Sequence, residues 1–210
     1  MLLYIDTNIL KFSATNLRRL FPKEQILNWG QKTSVHKYYE LGYLDPNEGI
    51  RDPELRREAD LLKKVAERVK SGVFQAVTHS ETLLESWGIP NMDSEGGRFY
   101  GAPVGHCVCP LTYERIIIGG HRSPEEMQFS FLAGIKDKRF LEIQRVVGAY
   151  QGPGQIHFNQ LLDAFAIWCA EYARCDAFLS LDFKLARAVK ADRKKRIKLP
   201  IVRPSEALSQ

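Results

Sequence analysis

Several acidic residues stand out because of where they fall relative to apolar segments. Asp6 and Asp182 each follow a short apolar run that is typical of a buried strand. Asp163 lies within Leu161–Trp168, a predicted helix that is apolar on nearly every side. An unpaired carboxylate in such surroundings costs several kcal/mol. Asp163 should therefore face a cleft, pair with a cation or bind a metal ion.

A second source of acids is the segment after the next predicted strand. Glu81 and Glu85 are four residues apart and so share one face of a helix, and either could reach the same site. Glu81 is preferred because it is nearer to the strand end. Each acid also has a simpler interpretation: Asp6 and Asp182 as helix N-caps, Asp163 as a buried salt-bridge partner, and the two glutamates as surface residues.

Carboxylates that converge without matching basic neighbours in sequence indicate a site for a hard cation. Mg²⁺ and Mn²⁺ prefer oxygen ligands and are commonly held by a few carboxylates together with a substrate phosphate. Such an ion polarises a phosphoryl oxygen and lowers the pKa of a bound water. The chemistry indicated is hydrolysis of a phosphodiester bond.

The elements that must position these acids alternate between strand and helix. The predicted strands are Leu2–Ile5, Val73–Val77, Ala177–Leu181 and Leu199–Val202. Residues 7–70 are predicted to be mostly helical, and further helices are predicted over residues 123–150, 156–173 and 183–190. This pattern predicts an α/β fold with a central parallel sheet of about four to five short strands, flanked by helices on both faces. The carboxyl ends of parallel strands share one edge, so Asp6 and Asp182 are expected to be neighbours.

Residues 91–120 are rich in glycine and are predicted to be an excursion or inserted hairpin within a single domain of residues 1–210. Zinc-ligand residue types occur at His106, Cys107 and Cys109, with His121 downstream. Because their spacing is not that of paired zinc knuckles, buried cysteines and a loop histidine are favoured. Cys169 and Cys175 are interpreted as core residues.

The positive charge of the chain is concentrated in one segment. The chain carries 30 basic and 25 acidic residues, and eight of the basic residues with a single acid fall within residues 184–198. The basic residues of this run are Lys184, Arg187, Lys190, Arg193, Lys194, Lys195, Arg196 and Lys198. The basic run suits a nucleic acid partner and is also typical of a solvated helix end.

Several segments that contain the acids match, in order, the motifs of a known family. They are Leu2–Leu10 with Asp6-Thr7-Asn8 at its centre, Ser80–Leu84, Asn159-x-x-x-Asp163 with Ala164–Ile167, Phe178–Phe183, and Leu199–Leu208. Together with the 19-residue step from Asp163 to Asp182, they resemble the PIN-domain nucleases over about half of the chain. The stretches between Asp6 and Glu81 and between Glu85 and Asn159 are longer than in compact members, which include the toxin ribonucleases.

The resemblance implies a PIN-like three-layer fold with a longer insertion between the second strand and the Asp163 helix. It implies a nuclease that depends on Mg²⁺ or Mn²⁺ and usually acts on RNA. The implied catalytic and metal-binding acids are Asp6, Glu81, Asp163 and Asp182, and the implied supporting residues are Thr7, Asn8, Asn159, Ser180 and Glu85. A homodimer and a protein inhibitor such as an antitoxin remain open as partners.

Two other functions remain as alternatives. The same fold with a structural acidic cluster could bind RNA or a protein without cutting it. A phosphatase with Asp6 as covalent nucleophile usually has a second carboxylate two residues later, where this chain has Asn8. The apolar runs are too short for a membrane helix, there is no basic segment before the first apolar residues, and the cysteines are too few for a disulfide scaffold. We therefore expect a cytoplasmic protein with reduced thiols.

Overall fold

The centre of the molecule is a five-stranded sheet in which all neighbouring strands are parallel. The computed structural model describes residues 1–14, 18–43, 47–86, 98–114, 123–150 and 157–210. In spatial order the strands are β5 (Gly105–His106), β4 (Gln75–Thr78), β1 (Leu2–Ile5), β6 (Ala177–Leu179) and β7 (Ile201–Val202). The predicted α/β class with a central parallel sheet is confirmed.

Helices cover both faces of this sheet. The described helices are α1 (Thr7–Phe12), α2 (Pro53–Lys70), α3 (Ser80–Ser86), α4 (Pro124–Gly134), α5 (Lys138–Val147), α6 (Phe158–Tyr172), α7 (Phe183–Ala191) and α8 (Pro204–Leu208). Strand side chains alternate between the faces. Leu3 and Ile5 of β1 pack with α1, α2 and α8, whereas Tyr4 packs with α4, α5 and α6. The ring of Tyr4 stacks on Phe178 at 5.1 Å.

The helix ends follow the capping residues in the sequence. Asp52 accepts from the backbone N–H of Glu54 at the start of α2, and Ser123 forms a capping box with Glu126 at the start of α4. The helical pattern predicted over residues 123–150 is divided between α4 and α5, and Asp137 caps the second helix. The prediction of one continuous helix over residues 123–150 was therefore wrong. Among the described residues, none of the helices combines the length and apolarity needed to cross a membrane.

Residues 18–43 form a long antiparallel hairpin, so the prediction of helix in this part was wrong. Its strands are β2 (Arg18–Trp29) and β3 (Lys32–Tyr43). The two-residue turn between them uses Gly30 at a φ of +60°, which glycine adopts without steric cost. The first strand contains Leu20, Lys23, Glu24, Gln25 and Leu27, which favour helix intrinsically, and cross-strand pairing overrides that preference.

The glycine-rich excursion contributes to the sheet. Within it, residues 98–114 are described, and they contain a short 3₁₀ turn over Phe99–Gly101 that buries Phe99. Strand β5 follows and pairs in parallel with β4, so the described part of the excursion adds an edge strand to the sheet. The rest of the excursion and His121 lie outside the described residues.

Candidate functional site

Two aspartates meet where the order of the sheet reverses. From β1 the sheet extends to β4 and β5 on one side and to β6 and β7 on the other. Asp6 follows β1 directly, and Asp182 follows β6 after two residues. The point at which strand order reverses leaves a crevice at the carboxyl ends of the strands, where open α/β sheets bind ligands. The expected proximity is confirmed, because Ser180 Oγ donates to Asp6 Oδ2 and accepts from the backbone N–H of Asp182.

Two further carboxylates complete the group. We call Asp6, Glu85, Asp163 and Asp182 the acidic cluster. Helix α3, which carries Glu85, packs against both α1 and α6. Burial raises the pKa of Asp163 well above its usual range, and repulsion from the other three members raises it further. These acids therefore act on one another electrostatically.

Asp6 is the most firmly held member of the acidic cluster. Its Oδ1 accepts from the backbone N–H of Thr7 at 2.7 Å. Its Oδ2 accepts from Asn8 Nδ2 and from Ser180 Oγ, both at 2.6 Å. Burial raises the pKa of Asp6 to about 7, repulsion from Glu85 and Asp182 acts in the same direction, and the hydrogen bonds from Ser180 and Thr7 oppose it.

The other two aspartates keep oxygen atoms available. Asp182 caps α7 by accepting from the backbone N–H of Lys184 at 2.7 Å and of Leu185 at 3.0 Å, both through Oδ1. Its N-cap role and its place in the acidic cluster therefore coexist. Asp163 is half-buried and makes no hydrogen bond or ion pair with any residue that the structure describes. The salt-bridge interpretation of Asp163 has no support among those residues.

Of the predicted supporting residues, Thr7, Asn8 and Ser180 hydrogen-bond to members of the acidic cluster, whereas Asn159 is exposed. Thr7 donates its hydroxyl to Glu85 Oε2 at 2.6 Å, and Asn8 and Ser180 both donate to Asp6. Ser180 Oγ also accepts from the backbone N–H of Asp182 at 2.9 Å, so one hydroxyl connects two members of the acidic cluster. Asn159 is exposed one turn before Asp163 on α6.

Comparison with known proteins leaves the chemistry of this site to be argued from its own residues. No protein-family model, curated protein or solved structure matches the chain. The donor set of the acidic cluster consists of carboxylate oxygens that repel one another. Carboxylate oxygens are ligands that hard divalent cations such as Mg²⁺ and Mn²⁺ prefer and that soft metals do not.

The structure places Glu85, and not Glu81, in the acidic cluster. The Glu81 carboxylate is buried and accepts from Tyr113 Oη at 2.8 Å and from Gln128 Nε2 at 2.8 Å. Glu81, which was preferred for its nearness to the strand end, therefore lies outside the acidic cluster, and its role as a metal ligand stays a prediction. Because the two glutamates are one helical turn apart, their spacing did not decide which one turns toward the sheet edge.

Glu81 lies beside a different group of reactive side chains, which we call the His/Cys cluster. Its members are His79, Cys109 and Cys169, and one ligand atom from each lies within 4.8 Å of the others. Hydrogen bonding with Cys169 and His79 lowers the pKa of the Cys109 thiol to about 5, against the effect of burial. Burial raises the pKa of Cys169. The sequence pattern grouped Cys109 with its neighbours in sequence, whereas the fold brings it close to His79 and Cys169.

The basic run is divided by the fold. Lys184 and Arg187 are exposed on α7, whose first residue follows Asp182. Helix α7 spans about 14 Å at 1.5 Å per residue, and residues 192–200 then lead into β7. They therefore lie at the opposite, amino-terminal edge of the parallel sheet. Arg196 forms an ion pair with Asp192, with 2.8 Å between Nη2 and Oδ1, and its role in nucleic acid binding stays a prediction.

Proposed function

We propose that this protein is a PIN-like, divalent-metal-dependent nuclease, most readily an endoribonuclease. The observation that carries the proposal is the acidic cluster at the point where the sheet order reverses. The arrangement of its acids along the chain, which resembles that family, supports the same function. Residues Lys184 and Arg187 add positive charge on the helix that Asp182 begins.

Each member of the site has a separate task in this proposal. The acidic cluster would hold Mg²⁺ or Mn²⁺, which when bound supplies charge stabilisation at a phosphoryl oxygen and lowers the pKa of water. Ser180 and Asn8 fix the orientation of Asp6 through their hydrogen bonds. Thr7 does the same for Glu85. Asp163 and Asp182 offer oxygens that remain available for ligand binding.

Cleavage of labelled RNA and DNA oligonucleotides with Mn²⁺, Mg²⁺ or excess EDTA tests the proposal. We expect hydrolysis with either metal, none in EDTA, and loss of hydrolysis in Asp182→Asn, because an amide lacks the charge that holds the ion. Full activity in excess EDTA would contradict metal dependence. Binding of RNA without any cleavage would favour the non-catalytic alternative.

The two glutamates of α3 form a matched pair for testing which of them serves the metal. Glu85→Gln should weaken Mn²⁺ binding and reduce cleavage, because Glu85 belongs to the acidic cluster. Glu81→Gln should leave Mn²⁺ affinity near that of the wild type, because its carboxylate is held by Tyr113 and Gln128. Calorimetric titration of Mn²⁺ into both variants measures the difference. The opposite ranking would restore Glu81 as the ligand.

The division of the basic run predicts unequal contributions to nucleic acid binding. Reversing charge at Lys184 and Arg187 together should weaken RNA binding and flatten the slope of log affinity against log salt by about 0.7 for each phosphate that is no longer neutralised. Reversing Lys194 and Lys195 together should change the slope less, because both lie at the far edge of the sheet. Fluorescence anisotropy over a salt series gives both slopes. Equal slopes in the two double variants would contradict a local role for α7.

A further inference from the structure

We propose that the His/Cys cluster is a second metal site, specific for a thiophilic divalent cation and most suited to Zn²⁺. The three donors come from separate parts of the chain. His79 lies between β4 and α3, Cys109 lies in the loop after β5, and Cys169 lies in α6. Their convergence is therefore produced by the fold and not by local sequence.

The spacing of the donors is compatible with one tetrahedral ion. Ligand atoms at Zn–S and Zn–N distances of about 2.0–2.3 Å lie roughly 3.5–3.8 Å from one another. The three donor atoms are within 4.8 Å of each other without a metal, so a small inward movement of side chains brings them to that spacing. Cys109 is half-buried and lies in a loop, which allows such a movement.

The chemistry of these donors distinguishes this site from the acidic cluster. Two sulfurs and one imidazole select Zn²⁺ or Co²⁺, whereas Mg²⁺ and Mn²⁺ prefer oxygen ligands. The molecule therefore offers two metal sites of different hardness. Helix α6 connects them, because it carries both Asp163 and Cys169.

A pocket gives the ion access and room for a fourth ligand. The pocket has a volume of about 520 Å³, and His79, Glu81, His106 and Cys109 are among the residues that line it. Three protein ligands with a fourth position open to a pocket form the arrangement of catalytic zinc sites, in which water completes the coordination. Glu81 then supplies a negative charge next to the ion.

One existing hydrogen bond must change when the metal binds. Nδ1 of His79 accepts from the backbone N–H of Glu81 at 3.2 Å. A metal-bound imidazole carries its proton on the nitrogen that does not bind the ion. This long hydrogen bond is therefore lost whichever nitrogen becomes the ligand.

Co²⁺ is the spectroscopic probe that tests this site. The reduced, chelator-treated full-length protein is titrated with Co²⁺ and then with Zn²⁺. We expect that one equivalent of Co²⁺ produces a thiolate-to-cobalt band in the near ultraviolet and the visible bands of tetrahedral cobalt. Addition of Zn²⁺ should remove both. Cys109→Ser and Cys169→Ser should each lose these bands and weaken Zn²⁺ binding by at least about 100-fold. Since Cys109 lies in a loop, its variant is the one expected to keep its fold, which circular dichroism checks.

Two control variants complete the experiment. Cys175→Ser changes a buried cysteine outside the His/Cys cluster and should keep the cobalt bands. Asp163→Asn changes the acidic cluster on the same helix and should also keep them, so failure of the nuclease proposal leaves this result unaffected. A cobalt spectrum without the thiolate band, or one that is unchanged in folded Cys109→Ser, would overturn the site.

Discussion

Asp163→Asn is expected to abolish cleavage while making the metal-free protein more stable. Asp163 is half-buried, and its charge is opposed by burial and by three like charges. Removing that charge relieves repulsion inside the acidic cluster, and substitutions that remove such strain commonly stabilise by about 0.5–2 kcal/mol. Thermal melts of the wild type and the variant in EDTA measure the sign. With Mn²⁺ the order should reverse, because only the wild type gains the full stabilisation of the bound ion.

An acid that has a cationic partner provides the control. Asp192 holds Arg196 through its side chain, and this interaction lowers the pKa of Asp192 to about 2. Asp192→Asn should therefore destabilise the protein, in the opposite direction to Asp163→Asn. A lower melting temperature for Asp163→Asn in EDTA would mean that Asp163 has a cationic partner after all, and it would remove that residue from the metal site.

The stability of the metal-free protein is expected to fall as the pH rises through neutrality. The pKa of Asp6 rises from its ordinary 3.8 to about 7 in the folded protein, so between these values the folded state binds more protons than the unfolded state. Stability contributed by protonation is then present at low pH and is lost as pH increases, by at most about 1.4 kcal/mol per pH unit. Asp163 contributes in the same direction.

Chemical denaturation in EDTA from about pH 5 to about pH 8 measures this dependence. The free energy of unfolding should fall with pH in the wild type. It should fall less steeply in Asp163→Asn, because one of the carboxyl groups with a raised pKa is absent. With Mn²⁺ the slope should become shallower or change sign, because binding of the metal requires ionised carboxylates. A wild-type stability that rises over this range in EDTA would contradict the raised pKa of Asp6.

The parts of the fold that could be predicted from sequence are those with strong local signals. The apolar run Leu2–Ile5, the caps Asp52 and Ser123, and the predominantly apolar α6 all gave correct elements. The hairpin of residues 18–43 could not be recognised in the same way, because its first strand contains several residues with helical propensity and its turn is a Gly-Gln pair. Strand β5 has only two residues, too few for any periodicity to be visible.

For the candidate site, the sequence was sufficient to place an acid that directly follows a strand. It was insufficient where the direction of a side chain decides which residue lies at the site. Asp6 and Asp182 were correctly placed together because the ends of parallel strands share an edge. Sequence spacing did not distinguish Glu81 from Glu85, which lie one helical turn apart but contact different partners: Glu85 contacts Thr7, and Glu81 contacts Tyr113. The His/Cys cluster was missed because its three residues come from positions 79, 109 and 169.

The central position of β1 has a consequence for how the protein forms during synthesis. β1 is made before the other strands of its sheet, and its neighbours arrive late: Leu3 pairs with Ala76 on one side and with Ala177 on the other. At about 5–20 residues per second, the interval between those partners lasts roughly 5–20 s. Contacts so distant in sequence form slowly because the intervening chain must close first. A growing chain attached to a ribosome therefore cannot assemble the acidic cluster until Asp182 has been made.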